Sequence, residues 1–147
     1  MGVVQTEITL KNGLDVSNAE LGLLKQSDIR QTTLQAIVDT GAWTLVINED
    51  IRKQLGLRIS GTDPAPSTLA DGTEVYSQLA GPLEVYWRDR RVLCDALVLP
   101  NAQDVLLGAI PLEAMDLVVS PRTLEVVGAH GDQAMHRLGF RASCSHS

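Results

Sequence analysis

The 147 residues suffice for one domain that buries most of its apolar surface. A hydrophobic content of 44% excludes a disordered chain, and 3% aromatic residues call for an aliphatic core. The net charge of −6, with no basic stripe against it, speaks against nucleic-acid binding. No apolar run approaches the ~20 residues of a transmembrane helix and no secretory leader precedes the first strand, so the expectation is a soluble, cytoplasmic protein.

The chain opens with a period-two pattern over Val3–Leu10, in which Val4, Thr6, Ile8 and Leu10 share one side of a strand. The start Met1–Thr6 fits a myristoylation pattern, but no basic cluster follows, and a glycine after the start codon is the simpler account. Lys11-Asn12-Gly13 is turn chemistry. Strands are expected over 20–24 and 29–38, joined across Lys25–Asp28, and over Leu45–Ile47. Asn48 caps a helix through Leu55, with Glu49 and Asp50 in its first turn and Gly56 just past its end.

Residues 60–67, with Pro64 and Pro66, read as a loop, and Asp71-Gly72 as the turn of a hairpin. Gly81-Pro82 bends or bulges the outgoing strand. A further hairpin joins Leu83–Tyr86 to Val92–Val98 over Arg88-Asp89-Arg90, whose arginines are expected at a solvated turn. Val105–Leu107 is a buried strand, Pro111 suits the first turn of a short helix reaching Met115, and 117–119 pairs with 124–127. About nine strands and two short helices make a mostly β protein, a closed sheet or barrel over residues 1–128. The polar tail 129–147 is expected to be mobile.

Cys94 and Cys144 suggest neither a disulfide framework nor a zinc site, and His130, His136 and His146 are irregularly spaced. No metal or other cofactor is expected.

One stretch stands out. Ala36-Ile37-Val38 is the end of a buried strand that delivers Asp39, Thr40, Gly41 and Ala42 where it stops. A carboxylate beside apolar residues is costly unless something pairs with it. Val105-Leu106-Leu107-Gly108 comes later in the chain.

Together these segments resemble the retropepsin-like aspartic proteases, in which a hydrophobic-Asp-Thr-Gly-Ala loop and a later hydrophobic-hydrophobic-Gly segment cross beneath the active site. The resemblance runs from about Thr6 to Val127. It implies a catalytic role for Asp39, Thr40 and Gly41, with Ala42 and Leu106 walling a substrate cleft. It also makes the hairpin Leu69, Ala70, Asp71, Gly72, Thr73 and Glu74 a flap over a bound polypeptide. Peptide held there as an added strand gains main-chain hydrogen bonds, and pockets lined this way favour apolar side chains. Retroviral members carry an acidic residue two positions after the motif's Gly and an arginine after the later Gly. Here Trp43 and Ala109 replace that ion pair, and Gly72 is the flap's single glycine, so the chain looks closer to bacterial retropepsin-like proteins.

Hydrolysis by this chemistry needs two carboxylates sharing one proton, and a chain with one Asp-Thr-Gly supplies half. The enzyme reading is therefore a homodimeric aspartic endopeptidase with one Asp39 from each copy. The alternative is a non-catalytic dimerisation or peptide-binding module of the same fold. A phospho-acceptor aspartate of the receiver-domain kind would need alternating strands and helices and a late lysine, and no lysine lies beyond Lys53.

Overall fold

The computed structural model describes residues 2–68, 72 and 74–131. Its first strand, β1 (Gln5–Asn12), alternates as period two requires, with Ile8 and Leu10 buried and Gln5 and Glu7 exposed. Asn12 ends the strand and caps the helix after it. Its Oδ1 accepts from the Asp15 nitrogen at 3.0 Å, and its Nδ2 donates to the Leu55 carbonyl at 2.8 Å.

The chain thus passes into a helix, α1 (Gly13–Glu20), where only a turn at Lys11-Asn12-Gly13 was expected, and residues 21–24 form a turn and bend instead of the expected strand over 20–24. Gly22, at φ +78°, closes the helix: the Gly22 nitrogen donates to the Ala19 carbonyl and the Leu23 nitrogen to that of Asn18. The cap and the Asp15–Arg30 ion pair hold this helix, which buries only Gly13, Asp15 and Val16. A short apolar run at a helix end is not distinguishable from a strand by periodicity.

After one 3-10 turn at Gln26–Asp28 come β2 (Gln31–Val38), β3 (Leu45–Ile47) and α2 (Glu49–Leu55). The last is capped by Asn48, whose Oδ1 accepts from the Ile51 nitrogen at 2.9 Å, and ends at Gly56 with φ 64°, as expected. The supposed loop over 60–67 is instead part of β4 (Arg58–Thr68). Among the described residues this strand pairs only with β5 (Glu74–Trp87), so proline's missing N–H removes no ladder bond on its open side. The pairing shifts register between Ser60 and Ala65, and β5 is irregular between Ala80 and Leu83, around Gly81-Pro82. Then come β6 (Arg90–Val98), β7 (Leu106–Leu107), α3 (Ala109–Ala114), β8 (Leu117–Ser120) and β9 (Glu125–Gly128).

Six strands close a barrel in the order β1-β2-β7-β3-β6-β5, with β5 returning to β1 at Leu10↔Val85. The β4–β5 ribbon extends from it, and β8–β9 form a separate two-stranded sheet. The fold is mostly β and closed, with three α-helices rather than two. Its core is aliphatic: Ile8, Leu10, Leu45, Ile47, Leu83 and Leu107 are almost wholly buried. Trp87 is the large exception, and its Nε1 donates to Thr6 Oγ1 at 2.8 Å. No helix among the described residues is long and apolar enough to cross a membrane.

The arginines of the β5–β6 turn separate. Arg88 is exposed, but Arg90 is buried. Its Nη1 donates to the carbonyls of Met115 at 3.0 Å and Asp116 at 2.8 Å, and its Nη2 to that of Gly131 at 2.7 Å. A guanidinium has five donors, and carbonyls at a helix's C-terminal end lack intrahelical partners, so burial here is satisfied.

Candidate active site

Two sequence-distant strands meet side by side to build the site. β2 and β7 run parallel, with Ile37 opposite Leu106 and Val38 opposite Leu107. The pairing continues one residue further, where the Asp39 nitrogen donates to the Leu107 carbonyl at 3.0 Å. Ala36 and Leu107, on the two paired strands, are wholly buried, while Asp39 just past the strand end is half-buried.

Beyond Asp39 the chain turns back on itself. The Ala42 nitrogen donates to the Asp39 carbonyl at 3.1 Å, and the Gly41 nitrogen to Asp39 Oδ1 at 2.9 Å. Among the described residues, no other hydrogen bond is made to this carboxylate. Thr40 and Gly41 are exposed.

α3 grips the same loop from below. Its first-turn N–H groups have no partner inside the helix. The Ala109 nitrogen donates to the Ala42 carbonyl at 2.8 Å and the Ile110 nitrogen to the Trp43 carbonyl at 2.9 Å. Gly108, between β7 and α3, is where a Cβ would collide with the carbonyl oxygens of Thr44 and Ala42. Thr44 is buried and donates through Oγ1 to the Asp95 carbonyl at 2.9 Å.

Asp39, Thr40, Gly41, Ala42 and Leu106 therefore fall in one assembly. The proposed flap residues Leu69, Ala70, Asp71 and Thr73 lie outside the described residues. The arms of their hairpin are described: Thr68 pairs with Glu74, and Gly72 has φ +87°. Sequence reasoning passed over two features. The anchor of Thr44 had no motif to signal it. Trp43, treated only as the loss of a charged residue, is 53% exposed on the site loop.

Cys94 offers no competing nucleophile: burial first, and Asp95 second, push its thiol up to about 12, so at neutral pH it stays protonated.

A family model described as "gag-polyprotein putative aspartyl protease" matches residues 26–114. A search of curated proteins returns no match. Among solved structures, EIAV protease complexed with the inhibitor HBY-793 aligns over 73% of this chain and 82% of its own. Its sequence identity is 18% and its TM-score 0.49.

Proposed function

This chain belongs to the gag-polyprotein aspartyl protease family, and from that premise we propose that it is an endopeptidase that works as a homodimer through two Asp39 carboxylates. The observation that carries the reading is the Asp39 loop. Its carboxylate is half-buried at a strand end, held by the loop's own Gly41 nitrogen and by no other described group.

With two such loops face to face, the carboxylates share one proton, because like charges a few ångström apart do not both ionise easily. The ionised one takes a proton from water while the neutral one hydrogen-bonds the scissile carbonyl. Water adds to the carbonyl carbon, and the proton then passes to the leaving amine as the C–N bond breaks. Thr40, exposed beside Asp39, is available to hydrogen-bond the opposite loop, and Gly41 allows close approach. Ala42 and Leu106 wall the cleft, with the hairpin from Leu69 to Glu74 as its flap. The polypeptide lies between them, and no cofactor takes part.

Apolar surface supports the dimer. Val118 and Val127 pair across β8 and β9 and are 46% and 37% exposed. Val3 is also exposed, and its neighbour Val4 accepts through its carbonyl from the Val38 nitrogen, next to Asp39. A second copy covers this surface and completes the site.

Asp39→Asn tests the reading. Cleavage of an unstructured polypeptide should vanish in the variant and persist in wild type with a metal chelator present. Full activity in the variant would refute it, and a wild type that binds peptide without cleaving it would favour the binding-module alternative.

A further inference from the structure

Burying a guanidinium is costly unless its donors are met. Arg90 is 7% exposed, and carbonyls from two segments far from it in sequence meet its donors. Met115 and Asp116 end α3, and Gly131 follows β9. Trp87, buried in the barrel, has its ring centroid 5.9 Å from the same guanidinium. One side chain thus ties the barrel to the end of a helix and the end of a sheet.

The junction is closely filled. Asp116, at φ 55°, stops α3, and its carbonyl accepts from the Ala129 nitrogen at 2.8 Å as well as from Arg90. His130 Nδ1 lies 2.8 Å from Asp116 Oδ2. At Gly128 a Cβ would collide with the Gly131 carbonyl oxygen and with the Arg90 guanidinium. The end of α3 has little room to move while Arg90 is in place.

The other end of the same helix holds the candidate site. Its Ala109 and Ile110 nitrogens donate to the carbonyls of Ala42 and Trp43. α3 has six residues, so about 9 Å of helix separates that grip from the carbonyls held by Arg90. A helix this short is not stable by itself, so its direction is set by what holds its two ends.

We propose that Arg90 is a positioning residue: by fixing the end of α3, it sets where the helix's first turn holds the loop and so where the loop presents Asp39. The consequence for cleavage rests on the endopeptidase reading, whereas the consequence for the loop does not. A side chain that served stability alone would weaken the whole fold evenly when replaced.

Two variants test this. Arg90→Lys keeps the charge and the stem but loses the fork, so it cannot hold both ends at once. Gly128→Ala leaves Arg90 in the sequence and crowds its guanidinium from β9. Amide hydrogen exchange, read by NMR in the native proteins, should quicken by about tenfold or more at Ala109 and Ile110 in each variant. At Ile8 and Leu34, opposite each other in the β1–β2 pairing, it should quicken by about twofold or less. Equal quickening at all four amides, or none at Ala109 and Ile110, would overturn the proposal.

Kinetics add a second readout. At matched dimer fraction, kcat of Arg90→Lys should fall by about tenfold with KM within about twofold, because a misplaced reacting group costs rate rather than binding. An active wild type whose kcat survives the substitution would also overturn the proposal. A wild type that cleaves nothing would sink the endopeptidase reading instead, and amide exchange alone would then decide the role of Arg90.

Discussion

The Gly41 nitrogen lies 2.9 Å from Oδ1 of Asp39, so the loop that presents the carboxylate also holds one of its two oxygens. An Asn side chain keeps an oxygen for that bond; an Ala side chain does not. Asp39→Asn should therefore unfold at the wild-type temperature while cleavage falls by roughly a thousandfold or more. Asp39→Ala should be equally inactive and less stable by about 1 kcal/mol. Thermal unfolding beside a peptide-cleavage assay checks both.

If two chains share one site, activity depends on pairing. Titrating wild type with Asp39→Asn protein should depress activity more steeply than simple dilution, because mixed dimers are inactive. Val118→Asp, on the exposed face of β8, should raise the dimer dissociation constant by about tenfold or more. Sedimentation and dilution series read these effects.

If two Asp39 carboxylates share a proton, activity depends on pH. The singly protonated pair exists between its two macroscopic steps, so the profile should be bell-shaped with an optimum on the acid side of neutral. Undiminished cleavage at alkaline pH would contradict the shared-proton mechanism.

Stability has a separate acid limb. Arg30 donates from Nε and Nη2 to Asp15, and this side-chain pairing holds the Asp15 carboxyl below its ordinary value. A depressed folded value means the stabilisation is present above the ordinary carboxylate range and is lost as pH falls through the folded value. Asp15→Asn should thus be less stable than wild type near neutrality, with the gap closing under acid. Urea unfolding at a series of pH values tests the sign.

Gly108→Ala and Arg90→Met probe the scaffold. The first drives a methyl into the Ala42 and Thr44 carbonyls and should cost about 1–3 kcal/mol, with activity lost as the loop shifts. The second strands three carbonyls, those of Met115, Asp116 and Gly131, and should cost about 3 kcal/mol or more. Chemical denaturation measures each.

Local rules made much of this legible. The cap at Asn48, the left-handed Gly56 and the bulge at Gly81-Pro82 all sit where residue chemistry places them. The strand end before Asp39 did too. What escaped depends on partners distant in sequence. α1 relies on Asn12 reaching Leu55 and Asp15 reaching Arg30, and β4 keeps its prolines because its outer side is unpaired. Arg90 turns inward because carbonyls from α3's end and Gly131 await it. Within the site the motif named Asp39 but not the exposure of Trp43, which is a property of the folded surface.

The bond from the Asp39 nitrogen to the Leu107 carbonyl has a temporal meaning as well. A chain emerging from the ribosome displays the Asp-Thr-Gly stretch long before the strand that seats it has been made. Until Leu107 and the first turn of α3 arrive, the loop lacks the backbone bonds that seat Asp39, Ala42 and Trp43, and loop closure over that separation is slow compared with local folding. On the endopeptidase reading, a nascent chain that has reached only Asp39 carries an unseated half-site, and a second copy can complete it only after synthesis has passed the second strand.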